Sequence, residues 1–198
     1  MVTDSTFHSN QAVGLGGGLY IQQEAMPSAD LTRITNSTIS GNSAGSFGGN
    51  LYVSLLHHPL ELHHTTVVDG VSPDASAISE NQLHADLILS RSIVGGNALE
   101  ETCDIDNNWL VRDSYNVFSH NFECVGEEDA ILNTDNLALD GLGLEPLADN
   151  GGAKLTHKPT YGSPAINWVI EDCTGRDQRG VERDQFECEA GAVEYPGI

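Results

Sequence analysis

The chain has 198 residues and 39% hydrophobic content, enough for one domain or one repeat array with a continuous core. Eight Lys and Arg stand against 29 Asp and Glu, and the net charge of −21 excludes nucleic acid, whose phosphates need clustered cations. It also disfavours an anionic membrane surface, and no window reaches the roughly 18 apolar residues of a membrane span.

The first residues, MVTDSTFHSN, lack a basic n-region and an apolar h-region, so no signal peptide is read here. Met1 falls almost directly on a repeat strand, the pattern of an excised fragment or of a mature subunit whose first coil is covered. The repeat unit is clearest at 34–53, ITNSTISGNSAGSFGGNLYV. A β-branched run meets a Gly41-Asn42 corner, then a small-residue loop, Gly48-Gly49-Asn50 and a second strand, Leu51-Tyr52-Val53. The same plan stands upstream, with a run ending at Asn10, a Gly16-Gly17-Gly18 loop and Leu19-Tyr20-Ile21.

Corner residues recur at Asn10, Asn42, Gly70, Asn97 and Asn121, at spacings falling from 32 to 24 residues. A shrinking period in this range marks a solenoid whose loops shorten while its coils stay constant. Aligned on these corners, Phe7, Ile39, Val67, Val94 and Phe118 form one apolar column, as an inward stack requires. Three positions earlier the column reads Asp4, Asn36, His64, Arg91 and Tyr115, the residues of a bend or outward position. Leu60-Glu61-Leu62 and Leu87-Ile88-Leu89 place leucines at alternate positions, the period of a half-buried strand. Clusters at 42–46 and 71–75 carry turn chemistry. Residues 130–147 come nearest to a helix, but Gly141, Gly143 and Pro146 break it.

The four cysteines, Cys103, Cys124, Cys173 and Cys188, lack C-x-x-C spacing and fit two disulfides better than zinc or redox chemistry. Four cysteines allow three pairings. Cys103–Cys124 and Cys173–Cys188 are favoured because each closes a polar loop locally, worth about 3 kcal/mol in the chain-entropy model. An oxidising, extracytoplasmic compartment follows.

From Leu87 onward several motifs come in order: SIVGGN at 92–97, Cys103, SYNVFS at 114–119, Cys124, LEPLADNGG at 144–152, LTH at 155–157, GSPAIN at 162–167, Cys173, DQRG at 177–180 and CEAGAVEY at 188–195. This region resembles the C-terminal part of the choice-of-anchor Q family, bacterial surface and secreted proteins, some with an N-terminal CSLREA motif. The upstream GGGLYI and GGNLYV blocks, with FHSN and ISGN, are similar to the repeats of polymorphic outer-membrane proteins. The family usually reads NGGPTLTH, GSPAID and CDIGAVE, where this chain has Ala153-Lys154, Asn167 and Glu189-Ala190. The resemblance implies an all-β fold, a right-handed parallel β-helix with an irregular disulfide-closed C-terminal cap, and a secreted or cell-surface location. One continuous domain is expected, with coils over 1–125 and the last coils and cap over 126–198. The resemblance implies no catalytic mechanism that transfers to residues here.

Candidate sites follow from the residues. Asp177, Gln178, Arg179 and Gly180, with Arg176 and Arg183, form the densest charged cluster. Arg pairs there would grip an acidic sugar, but the structural reading is favoured: Asp177 and Arg179 fasten the tail against the last coil. His57, His58, His63 and His64 are the candidates for a transition metal, with His63 and Glu61 sharing an outward strand face and His64 near the bend. Solvated histidines are the competing reading. No cofactor is required; a loop-bound Ca²⁺ would draw on Asp74, Asp86, Asp104, Asp106 and Glu100-Glu101. Asn36-Ser37-Thr38 is a glycosylation sequon on an expected strand.

No catalytic residue is assigned. A uronate lyase needs a basic groove, and before Arg91 the only cation is Arg33. A glycoside hydrolase needs paired carboxylates in one cleft, whereas Glu61 and Asp86 stand apart in sequence. The Gly-rich run at 14–18 lacks the Lys-Ser/Thr of a phosphate loop and reads as a turn. The favoured function is a non-catalytic structural, self-assembly or adhesive role. The partners would be further copies stacked end to end as an oligomer or filament, or a glycan or host surface met through exposed Tyr20 and Tyr52. The alternative is a polysaccharide-active enzyme or glycan-binding module of β-helix type.

Overall fold

A computed structural model describes residues 1–23, 31–96, 102–105, 110–119, 124, 136–138, 141–171 and 173–195, with backbone alone for 111–113 and 136–138. The first coil holds β1 (Val2–Thr3), β2 (Thr6–His8), β3 (Gln11–Ala12) and β4 (Leu19–Gln22). The second repeats it as β5 (Thr32–Thr35), β6 (Thr38–Ser40), β7 (Ser43–Ala44) and β8 (Leu51–Ser54). Then follow β9 (Leu60–His63), β10 (Thr66–Val68) and β11 (Ile78–Asn81), and after them β12 (Leu87–Ser90), β13 (Ile93–Val94) and β14 (Cys103–Asp104). The described strands end with β15 (Leu110–Asp113), β16 (Val117–Ser119) and β17 (Asn136–Ala138).

Equivalent strands of successive coils pair in parallel. They form a five-stranded sheet β1-β5-β9-β12-β15, a six-stranded sheet β17-β16-β13-β10-β6-β2, a four-stranded sheet β14-β11-β8-β4 and the short pair β3-β7. The fold is the expected parallel β-solenoid, of about four turns, with two disulfides in the later part of the chain.

The registers reproduce the apolar column read from the corners: Phe7 pairs with Ile39, Ile39 with Val67, Val67 with Val94 and Val94 with Phe118. Two further columns, Val2/Ile34/Leu62/Leu89 and Leu19/Leu51/Ile78/Cys103, line the interior, joined by Leu60/Leu87/Leu110 and by Ile21/Val53. Ile39, Leu51, Leu62, Val67, Ile78 and Leu89 are fully buried. Each such side chain contributes roughly 1.5–3 kcal/mol through its removal from water. The expected Cys103–Cys124 disulfide lies inside this core, with Cys103 taking the inward place of a leucine.

The bend column has a specific backbone. Asp4, Asn36, His64, Arg91 and Tyr115 all have positive φ, between 45° and 67°. The left-handed conformation costs a non-glycine residue free energy, which the next position offsets. There a hydroxyl or amide recurs, Ser5, Ser37, Thr65, Ser92 and Asn116. Ser37 Oγ accepts from Ser5 N (3.2 Å), Ser92 Oγ from Thr65 N (3.1 Å) and Asn116 Oδ1 from Ser92 N (3.0 Å), so each bend is tied to the next coil. Asn36 therefore stands at a bend between β5 and β6, not on the strand expected of its sequon.

The corners are held by a buried amide ladder: Asn10 donates to Asn42, Asn42 to Asn50, and Asn50 Nδ2 to Val68 O at 2.8 Å. Glycine replaces Asn at corner 70 because Asn50 already fills that place. A Cβ on Gly70 would meet Ser76 O and the Asn50 amide. Asn97 and Asn121 lie outside the described residues.

From Gly141 the chain doubles back along the outer face of the six-stranded sheet. The outward register column Thr6/Thr38/Thr66/Ile93/Val117 shows what it covers. Ile93 and Val117 pack with Val68, Tyr115, Ala165, Val169, Ala190 and the Cys173–Cys188 disulfide in a second apolar cluster. The three threonines meet polar groups instead: Thr6 Oγ1 donates to Leu155 O (2.7 Å), Thr38 Oγ1 to Gln178 Oε1 (2.6 Å), and Ala192 N to Thr66 Oγ1 (3.0 Å). Gly191, at φ 85°, lets the backbone reach the sheet, its N–H donating to Arg91 O at 2.8 Å. The tail is thus disulfide-closed as expected, but its DQRG segment docks on the first two coils rather than the last. Hydrogen-bond acceptors and donors on Ser5, Thr6 and Thr38 provide a complementary surface there.

Candidate functional site

The histidines divide between two places. On the five-stranded sheet Glu61 and His63 share the outward face, as expected, with Glu61 Oε1 and His63 Nδ1 3.5 Å apart. Arg33, the register partner of Glu61, meets its Oε2 at 2.6 Å. Burial pushes the His63 ring down to about 4 against the opposing pull of Glu61, so the ring is neutral at neutral pH. Its Nδ1 also lies 3.1 Å from Ser90 Oγ. His64, at the bend, is buried with neither ring nitrogen hydrogen-bonded, and burial lowers it well below the ordinary value. His57 stacks on His84 at 5.0 Å, while Gln23 Oε1 accepts from the backbone of His57 and His58. Among the described residues no three His, Cys, Asp or Glu side chains assemble as metal ligands. His63 and His64 meet edge to face, with ring centroids 4.8 Å apart, whereas His57 stacks on His84 instead.

Of the acidic loop residues, Asp104 is raised by burial and by nearby Asp74. Asp106, Glu100 and Glu101 lie outside the described residues.

The DQRG cluster is a docking device. Asp177, 1% exposed, accepts from the backbone of Arg179, Val181 and Glu194 at 2.8–3.0 Å, and from Arg179 Nε and Nη2 at 2.9 and 2.7 Å. Gly180, at φ 86°, closes this turn onto Asp177 O. Gln178 faces the opposite way and donates through Nε2 to Ser5 O (3.1 Å) and Thr6 Oγ1 (2.8 Å). Arg183 joins the Glu194 carboxylate (2.6 Å) to Asn36 Oδ1 (3.1 Å) and Gly191 O (3.0 Å). Asn36 in turn donates to Arg176 O at 2.7 Å, so the sequon amide is engaged by the tail. Glu189 completes the group. Burial, helped by its hydrogen bond to Glu194, pushes it up to about 9, so it carries a proton at neutral pH. Two arginines and two carboxylates then balance, as buried charges must. Arg179 and Arg183 are both carboxylate-paired inside the protein, which removes them as a grip for an acidic sugar.

A serine–histidine pair lies beside this network. Ser40 Oγ is 2.7 Å from His157 Nε2, and His157 Nδ1 is 2.8 Å from Glu145 O. A Nδ1–H donated to that carbonyl leaves Nε2 to accept from Ser40, the orientation of a nucleophile and its base. Ser40 is 2% exposed beneath the tail and His157 4%, so no substrate carbonyl reaches the hydroxyl. Asp69 Oδ2 lies 3.7 Å from the same Nε2, not on the Nδ1 side where a triad places its carboxylate. The pair fastens LTH to the sheet.

The outward face of the four-stranded sheet is different. Tyr20 and Tyr52, register partners on β4 and β8, stack at 5.6 Å with planes 23° apart. Phe47 adds a third ring 6.4 Å from Tyr52, tilted by 51°. Tyr20 is 48% exposed and Phe47 37%, while Tyr52, expected to be exposed, is only 6% exposed because it lies between them. Tyr20 Oη donates to Gln22 Oε1 at 3.1 Å, placing an amide beside the open ring. Leu15, bridged to Phe47, continues the strip. Ring faces with flanking hydroxyls and amides suit a ligand that is apolar on one face and polar on its edge.

No family model, curated protein or solved structure matches the chain. Among the described residues no helix is long and apolar enough to cross a membrane. Two disulfides are the usage of an oxidising environment outside the cytoplasm. Sequence reasoning missed Ser40, His157, Glu189 and Glu194. The only signal for them was the polarity of LTH and the acids flanking AGAV.

Proposed function

We propose that this chain is a non-catalytic β-solenoid of the cell exterior, secreted or displayed, with a structural and adhesive role. Its adhesive face is the Tyr20–Tyr52–Phe47 strip, and its ligand a neutral glycan. The observation that carries this reading is the open ring of Tyr20, stacked on Tyr52 and flanked by Gln22. A pyranose presents C–H groups to such a ring and hydroxyls to such an amide. The charge of −21 argues against an acidic polymer as the ligand. The absence of a reactive role is supported by Asp177, Arg179, Arg183, Glu194 and His157, which are engaged in docking the tail. The resemblance to choice-of-anchor Q proteins favours the same location and role.

A glycan array probed with the whole chain and with Tyr20→Ala tests the reading. Neutral glycans bound by the first and lost by the second support it. An array without hits, or hits indifferent to Tyr20, would remove it. Release of unsaturated products or reducing ends from any bound glycan would replace it with the enzyme reading.

A further inference from the structure

A cleft of about 450 Å³ opens on the tail between 181 and 195. Its floor holds Arg183, Glu189 and Glu194, all at least nine-tenths buried. Its rim carries Asp184, Glu187 and the ring of Phe186, which is 80% exposed. Arg183 is matched by Glu194 at 2.6 Å, so the rim acids leave the cleft negative. No hydrogen-bond donor of the protein faces Glu189 Oε2, although that atom is buried. A buried carboxyl oxygen at the base of an acidic cleft with an aromatic lip has the chemistry of a receptor for an organic cation.

We propose that this cleft binds an alkylammonium group, which donates to Glu189 Oε2 and lies against the Phe186 ring. In the free protein the proton that Glu189 shares with Glu194 neutralises the carboxyl, and Oε2 is left without a donor among the described residues. On binding, R–NH₃⁺ replaces the proton, which leaves to solvent, so the floor keeps its charge balance. The same ammonium chemistry comes from a lysine side chain of a basic peptide or from an amino sugar. The site is independent of the aromatic strip on the four-stranded sheet.

Titration calorimetry of the whole protein at pH 7 tests this with trilysine and with a glucosamine trimer. Buffers of different ionisation enthalpy count the protons, and about 0.3 M NaCl screens long-range attraction. Saturable binding of either amine, with release approaching one proton per site, is expected. Binding of trilysine alone identifies a basic peptide, and of the glucosamine trimer alone an amino sugar. Glu189→Gln should abolish the proton release. Phe186→Ala, on the exposed rim where folding is not at stake, should weaken binding about threefold, and Tyr20→Ala should leave it unchanged. Absence of saturable binding by both amines would overturn the proposal. So would binding without proton release that is equal in wild type, Glu189→Gln and Phe186→Ala.

Discussion

Thr38 and Gln178, 140 residues apart in sequence, are joined by a buried hydrogen bond of 2.6 Å from Thr38 Oγ1 to Gln178 Oε1. This contact fixes the direction of the tail, whose DQRG segment returns to the first two coils. The Gln178 amide makes two further bonds to Ser5 and Thr6, so one side chain holds two coils and the tail together. Gln178→Ala leaves the Thr38 hydroxyl buried and unpartnered, at a cost of roughly 1–3 kcal/mol. Denaturant unfolding should show that loss, and hydrogen exchange should rise at 176–181 before it rises in the core strands.

Ile39 is the centre of the best-defined column, buried between Phe7 and Val67. Ile39→Val should cost about 0.5–1.5 kcal/mol by the loss of one methylene. Ile39→Asp should unfold the array, because the charge has no partner in the stack. A folded, monodisperse Asp variant with an unchanged Tm would refute the column alignment.

Glu189 makes stability depend on pH in a definite direction. Its folded value of about 9 lies above the ordinary 4.5, so the folded state holds a proton that the unfolded chain has lost. The stabilisation is complete below pH 4.5 and is lost as pH rises towards 9, at up to about 1.4 kcal/mol per pH unit. His63 and His64 act oppositely, since their lowered values make stability fall as pH drops below 6.5. Between pH 6.5 and 9 the Glu189 effect stands clear of them. Unfolding free energies in that window should decline for wild type and decline less for Glu189→Gln.

The two disulfides have different neighbours. Cys103–Cys124 lies in the solenoid core, and Cys173–Cys188 lies with Val169 and Ala190 over the outer sheet. Replacing Cys173 and Cys188 by Ser should cost about 3 kcal/mol and expose the tail to protease, with the parallel-sheet circular dichroism retained. Replacing the core pair should lower the cooperativity of the whole transition.

The inward architecture was legible because burial leaves a period-2 pattern and corners leave Gly and Asn at a repeating distance. Phe7, Ile39, Val67, Val94 and Phe118 could therefore be aligned without a structure, and the cysteines paired by locality. The outward column Thr6/Thr38/Thr66/Ile93/Val117 was equally periodic, but nothing local says what covers it. Ile93 and Val117 make sense only once the tail is seen above them. The DQRG cluster was found by its charge density and its structural role foreseen. Its docking place was not, because Gln178 reaches coils that are remote in sequence. The histidines were conspicuous as a group, yet only His63 and His64 touch, the strand turning one outward and the bend setting the other beneath the tail, while His57 pairs with His84. Glu189 looks like any surface acid until burial and Glu194 hold its proton.

The adhesive reading rests most directly on Tyr20. A neutral oligosaccharide selected on the array, titrated against wild type and Tyr20→Ala at equal salt, gives the contribution of that ring. Loss of the stacked ring should weaken binding at least about fivefold, as for an aromatic platform worth about 1 kcal/mol or more, while loss of the Tyr52 contact lowers Tm by no more than a few degrees. Equal affinities in the two proteins would show that the Tyr20–Tyr52 stack is a structural feature of the solenoid and not its binding face.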